Sequence, residues 1–173
     1  MTAYVALLRG VNLVGKSTLK MSDLKAIADE LKLEKARTYI ASGNLLFLSD
    51  RKEEPLRRAL QAALQAHMAK SVGVMLRTAT EMGGVLKDNP FTDKPANQVQ
   101  AFFMNEPPPT NLLETVRNQA DDERIAIGAR EVFVAYGEKG IGRSRLKIPA
   151  ADAGTARNMN TVAKLAELAR EMS

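Results

Sequence analysis

Two short β-type runs, Thr38 to Ala41 and Leu45 to Leu48, are joined by Ser42-Gly43-Asn44, and a helix-type run stands directly before them. Serine, glycine and asparagine in that order make a tight turn, because each satisfies or relaxes the backbone where it reverses. The segment therefore predicts a hairpin, and a hairpin after a helix breaks the strand–helix–strand rhythm of a parallel sheet. Upstream, Tyr4 to Arg9 is apolar on both faces, as in a central strand, and a polar loop follows from Gly10 to Lys20. Met21, Leu24, Ile27, Ala28 and Leu31 then repeat at helical spacing, with Ser22 available as N-cap. Downstream, Leu56, Leu60, Ala63, Leu64, His67 and Met68 form a second helix face, with Pro55 near its start. Val72 to Leu76 reads as a strand and Glu81 to Lys87 as a short helix. The order β-α-β-β-α-β is the split βαβ, or ferredoxin-like, unit.

The order then begins again. Val99 to Met104 reads as a strand, and Leu112 to Ala120 as a helix after Pro107-Pro108-Pro109. Arg124 to Ile127 and Val132 to Tyr136 form a hairpin across Gly128-Ala129. A basic, glycine-rich loop runs from Gly137 to Lys147, and Val162, Leu165, Leu168, Ala169 and Met172 mark a last helix. The expected class is α+β: two ferredoxin-like (βαββαβ-type) units, antiparallel sheets with helices on one face, the second unit lacking a clear last strand. The expected domains are residues 1–88 and 98–173, joined by a linker at 89–97 that holds Phe91 and two prolines.

Composition removes several chemistries. There is no cysteine, so disulfide scaffolds, thiol catalysis, zinc ribbons and iron–sulfur clusters are excluded. The one histidine, His67, lies on an apolar helix face and reads as a partly buried structural residue. Imidazole-rich metal sites are excluded, and no acidic run has calcium-loop spacing, so no metal is expected. The apolar run before Arg9 is too short for a membrane span and lacks a signal-peptide layout, so a cytoplasmic protein is expected. Residues 1–88 hold fourteen Lys/Arg against nine Asp/Glu, whereas residues 89–173 hold eleven of each. That imbalance permits phosphate or nucleic-acid binding without requiring it.

Three constellations carry chemistry. Gly10 to Ser17, GVNLVGKS, matches the phosphate-binding P-loop pattern. The helix after it leads into an antiparallel hairpin, however, whereas a P-loop nucleotidase needs a parallel crossover. The second constellation follows from chain direction. In a βαββ unit the first two strands run the same way, so their trailing loops share one rim. Arg9, Gly10, Asn12, Gly15 and Lys16 would meet Ser42, Gly43 and Asn44 there, giving cations, amides, a hydroxyl and glycines that admit a ligand to backbone N–H groups. The bland alternative is that Asn12, Ser42 and Asn44 only satisfy turn backbone. The third is Gly140 to Lys147. Residues 137–157 carry five cations and two acids, and Gly142, Arg143 and Ser144 suit phosphate or carboxylate. Arg157 and Asn158 sit near the start of the last helix, where an anion or an ordinary Asn cap are both served. Met68, Met75 and Met104 lie in core registers. Phe102, Phe103 and Phe133 lie on strands, where core packing competes with base stacking.

On these residues the chain resembles a bacterial family known as domain of unknown function 1697. The matching segments are Tyr4 to Asn12, Gly15-Lys16, Lys20-Met21 with Leu24, Thr38-Tyr39-Ile40 with Ser42-Gly43-Asn44, Asn89-Pro90-Phe91, Gly140 to Ser144, and Arg157 to Val162. The resemblance implies an α/β fold of ferredoxin-like units and no assigned activity. It also implies an aromatic at Met159 and an asparagine at Ser17, which counts further against a P-loop. The expected function is binding of a phosphate- or carboxylate-bearing small ligand at the Arg9 and Ser42–Asn44 loops, closed by Arg143, Ser144, Arg157 and Asn158. No general base is identifiable, so catalysis is left open, as are the cofactor and the oligomeric state. The alternatives are an RNA- or DNA-binding module and a non-catalytic protein-partner module.

Overall fold

A computed structural model describes residues 1–11, 19–40 and 43–173. By compactness it divides into one unit formed by Met1–Gly83 with Leu165–Ser173 and another formed by Gly84–Lys164.

The first unit contains β1 (Thr2–Arg9), α1 (Met21–Glu30), β2 (Glu34–Thr38), β3 (Asn44–Ser49), α2 (Glu53–Met68) and β4 (Gly73–Thr78). Its sheet order is β2-β3-β1-β4, and each pairing is antiparallel. That is the strand order of a ferredoxin-like unit. β1 is central and buried over six consecutive residues, which explains why its sequence is apolar without alternation. One sheet face presents Tyr4, Ala6, Leu8, Leu45, Phe47, Val74 and Leu76 to Leu24 and Ile27 of α1 and Leu56, Leu60 and Leu64 of α2. The Tyr4 and Phe47 rings, directly paired across β1 and β3, stack with centroids 5.7 Å apart. Register shifts between Glu34 and Arg37, where Lys35 takes a φ of 51°, so β2 bulges along the sheet edge.

After β4 the chain forms α3 (Ala79–Asp88). The second unit then contains β5 (Val99–Phe103), α4 (Leu112–Thr115), β6 (Arg124–Ile127), β7 (Glu131–Ala135), α5 (Gly140–Arg143) and β8 (Thr155–Asn158), and α6 (Met159–Met172) ends the chain. The second sheet is again antiparallel, in the order β6-β7-β5-β8. It therefore has the last strand that hydrophobic pattern does not make clear. β8 is only four residues, TARN, with a single buried position, so no alternation can be read from it. One face carries Val132, Val134 and Phe102 against Leu112, Ile148 and Ala151.

Several expected elements differ in extent. Lys20, not Ser22, is the α1 N-cap; it makes no side-chain cap, and Ser22 lies inside the helix. The helix expected over Leu112 to Ala120 stops at Thr115. Arg117 instead exchanges two backbone hydrogen bonds of 2.9 Å with Lys147, and Asn118 takes a φ of 59°, neither compatible with a continuing helix. The segment expected as a linker is locally structured: Phe91 N–H donates to Asn89 Oδ1 at 3.0 Å, and Ala96–Gln98 forms a 3-10 turn. Phe91 is buried beneath the Arg124 guanidinium, which lies 4.9 Å from its ring centroid and bonds both Asp93 carboxylate oxygens.

Candidate functional site

In the first unit, β1 and β2 both pair antiparallel to β3 and so run in the same direction. The end of β1 consequently meets the start of β3. Leu7 pairs with Asn44, and Leu8 N–H donates to Gly43 C=O at 2.9 Å. Arg9 and Gly10 thus share a rim with Gly43 and Asn44. Asn12, Gly15, Lys16 and Ser42, and most of the P-loop match, lie outside the described residues. The P-loop context is nonetheless missing, because β1 is flanked by two antiparallel strands.

The rim has a glycine on each side. Gly10 has a φ of 75° and Gly43 a φ of 84°, both in the left-handed region that suits glycine. At Gly43 space is also limiting: a Cβ there would lie 2.6 Å from Val11 Cγ2 and 3.0 Å from Leu8 Cβ. Asn44 is fully buried, and its Nδ2 donates to Tyr39 C=O at 2.9 Å. Its amide holds the turn shut, as an Asx-type residue does. Arg9 is exposed and runs over Gly73, whose Cβ position lies 3.1 Å from Arg9 Cβ. It makes no ion pair among the described residues.

A second cation stands here that sequence reasoning missed. Lys70 Nζ donates to Gly10 C=O at 3.3 Å. β4 is antiparallel to β1, so the residues leading into β4 arrive where β1 leaves. The left-handed Ala69 (φ 57°) ends α2 and turns the chain toward that rim. The pairing of β4 beside β1 was the missing information, since Lys70 has no motif of its own.

His67 is exposed rather than partly buried. It lies in the last turn of α2 with Nε2 3.5 Å from Asp23 Oδ2 in the first turn of α1. It links two helices at the surface, and no Ser-His-Asp set forms around it among the described residues. Met75 is buried, and Met68 and Met104 pack against the two cores. Phe103 and Phe133 are fully buried, which leaves their faces unavailable for stacking bases.

In the second unit, β7 and β8 flank β5 and both run antiparallel to it, so their ends again share a rim. Arg157 is a strand residue opposite Ala101 and only 6% exposed. Its Nη1 donates to Thr155 Oγ1 at 2.7 Å and Ala156 C=O at 2.9 Å, and burial pushes its pKa down to about 10. Asn158 Oδ1 accepts from Thr161 N–H at 3.0 Å, an N-terminal cap on α6. Met159, where an aromatic was implied, is buried and packs. Gly142, Arg143 and Ser144 lie across the short helix α5 and the residue after it, away from that strand pair in sequence, and Ser144 Oγ–H donates to Glu123 Oε2 at 2.5 Å. Beside the sheet, Tyr136 Oη–H donates to Gln100 Oε1 at 2.9 Å, and burial pushes the phenol up to about 12. Among the described residues, no His/Cys/Asp/Glu group could hold a metal and no helix is long and apolar enough to cross a membrane.

The fold and these rims define a protein of two ferredoxin-like units in which small polar groups gather at the ends of like-directed strands. The chain belongs to the family described as Protein of unknown function (DUF1697), which matches residues 1–133. The basic loop and the Arg157–Val162 segment lie beyond that match. No curated protein matches the chain. Among solved structures it is similar to a conserved bacterial protein from Streptococcus pneumoniae, with a TM-score of 0.82 and 24% identity over 98% of this chain and 99% of that one. That likeness establishes a shared fold.

Proposed function

We propose that the protein binds a small molecule through a phosphate or carboxylate group at the rim where β1 ends. The supporting observation is the hydrogen bond from Leu8 N–H to Gly43 C=O, which seats the 43–44 turn against the strand that delivers Arg9. Arg9 supplies an exposed guanidinium with no ion pair among the described residues, and Lys70 adds a second cation against Gly10. Two cations beside the left-handed Gly10 have the chemistry of an anion site. Asn44 shapes the turn from within. Asn12, Gly15, Lys16 and Ser42 belong to the same loops in sequence and complete the proposal. No described group is placed as a general base, so the reading is a binding site.

Titration calorimetry with nucleotides, sugar phosphates and coenzyme A tests the proposal. A charge-assisted hydrogen bond is worth about 1.5–3 kcal/mol, so Arg9→Ala should weaken the bound anion by roughly 10- to 150-fold, with Lys70→Ala acting in the same direction. Failure of every anion to bind, or equal binding by Arg9→Ala, removes the reading.

A further inference from the structure

A cavity of about 240 Å³ lies in the second unit, between the 118–123 segment and the loop that contains α5. Lys139, Arg143 and Arg145 line it together with Asp122, Glu123 and Ser144. The two carboxylates are already engaged from within the unit. Buried Glu123 accepts Ala120 N–H on Oε1 at 2.8 Å and Ser144 Oγ–H on Oε2 at 2.5 Å. Asp122 Oδ2 accepts Glu138 N–H at 2.9 Å. The three cations, by contrast, form no ion pair with any described residue, although they surround the same space. With Asp122 and Glu123 on the same wall the cavity keeps a positive excess, and its three exposed cations can meet an anion from solution.

Gly137 fits the same arrangement, because a Cβ there would stand 2.0 Å from the Asp122 carboxyl carbon. The bare glycine lets Asp122 fold onto the loop backbone. Ser144 ties the other end of the loop to Glu123. The loop is thus fastened to the 118–123 segment at both ends, with its cations on the cavity wall.

We infer that this cavity is a second site, separate from the β1 rim, that takes the phosphate group of a small molecule. Two guanidiniums and an ammonium offer enough N–H donors for the several oxygens of a phosphate, whereas a single arginine saturates one carboxylate. At about 240 Å³ the space is below the usual range for coenzyme-sized ligands, so the ligand is a small phosphate ester. Ser144 is a positioning residue that holds Arg143 and Arg145 in place through Glu123.

The experiment is a titration followed by ³¹P NMR and calorimetry, with inorganic phosphate and glycerol 3-phosphate as probes. Saturable binding is expected. The double variant Arg143→Ala/Arg145→Ala should weaken it at least about tenfold, because it removes two charge-assisted hydrogen bonds to the phosphate. Both side chains are exposed, so the variant's melting temperature serves as the control for folding. Ser144→Ala should weaken binding several-fold without removing it. Repeated on the Arg9→Ala chain, which lacks the rim's guanidinium, the titration should still saturate, so that binding at the cavity is read apart from binding at the rim. The inference is overturned if neither probe saturates the wild-type chain at millimolar concentration, if the double variant binds as tightly as wild type, or if Arg9→Ala alone abolishes binding. Unaltered affinity in Ser144→Ala would refute the positioning role.

Discussion

Replacing Gly43 with alanine tests the geometry on which the rim depends, and Gly10→Ala provides its internal control. Both glycines lie in the left-handed region, at φ of 84° and 75°. Placing an L-residue there costs about 1–2 kcal/mol in either case. The two positions differ in their surroundings. No heavy atom lies within 4 Å of a Cβ built on Gly10, whereas one built on Gly43 meets Val11 Cγ2 at 2.6 Å and Leu8 Cβ at 3.0 Å. Val11 and Leu8 are both buried, so relief of the clash means moving packed side chains, at about 1–3 kcal/mol more. The expected losses are therefore about 1–2 kcal/mol for Gly10→Ala and about 2–5 kcal/mol for Gly43→Ala. For a chain of this size each kcal/mol corresponds to roughly 2–4 °C in melting temperature. Urea unfolding followed by far-UV circular dichroism, with a calorimetric melt, measures both. Equal losses at the two positions would show that the 43–44 turn does not press on β1, and the shared rim would lose its basis.

Two further outcomes follow from single side chains. Asn158→Ala removes the cap on Thr161 N–H and should cost about 1 kcal/mol in urea unfolding, with little loss if Asn158 is replaced by aspartate. Tyr136, raised to about 12, keeps its proton in the folded chain after an unfolded tyrosine near 10 has lost one. Over that window the unfolded state binds fewer protons, so the stability this phenol contributes is complete below pH 10 and declines as pH rises toward 12. Tyr136→Phe should flatten the decline, and absorbance at the tyrosinate band should show one phenol titrating near 12.

Much of the architecture is written in local pattern. The helical spacing of Met21 to Leu31 and of Leu56 to Met68, the doubly apolar Tyr4 to Leu8 run and the apolar Leu45 to Leu48 run each encode their element in near neighbours. Their order specified the ferredoxin-like units. From chain direction alone, it also placed the Arg9 end beside the Asn44 turn. Other features lay in interactions remote in sequence. The helix after the three prolines is cut short because Arg117 pairs with Lys147, and β8 exists because β5 offers it an edge. His67 is drawn to Asp23 on another helix, so its place on an apolar stripe misreads its surroundings.

The candidate sites divide in the same way. The amino-acid sequence by itself determined which residues could meet an anion and which strand ends would carry them, because strand direction and residue chemistry are both properties of the chain. Only the tertiary structure decided that Lys70 joins Arg9, that Asn44 and Asn158 serve their own backbone, and that Glu123 and Asp122 share a cavity with Arg143. Lys70 finds Gly10, and Ser144 finds Glu123, across tens of residues, and a hydrogen bond over that separation is fixed by packing, which no local pattern records.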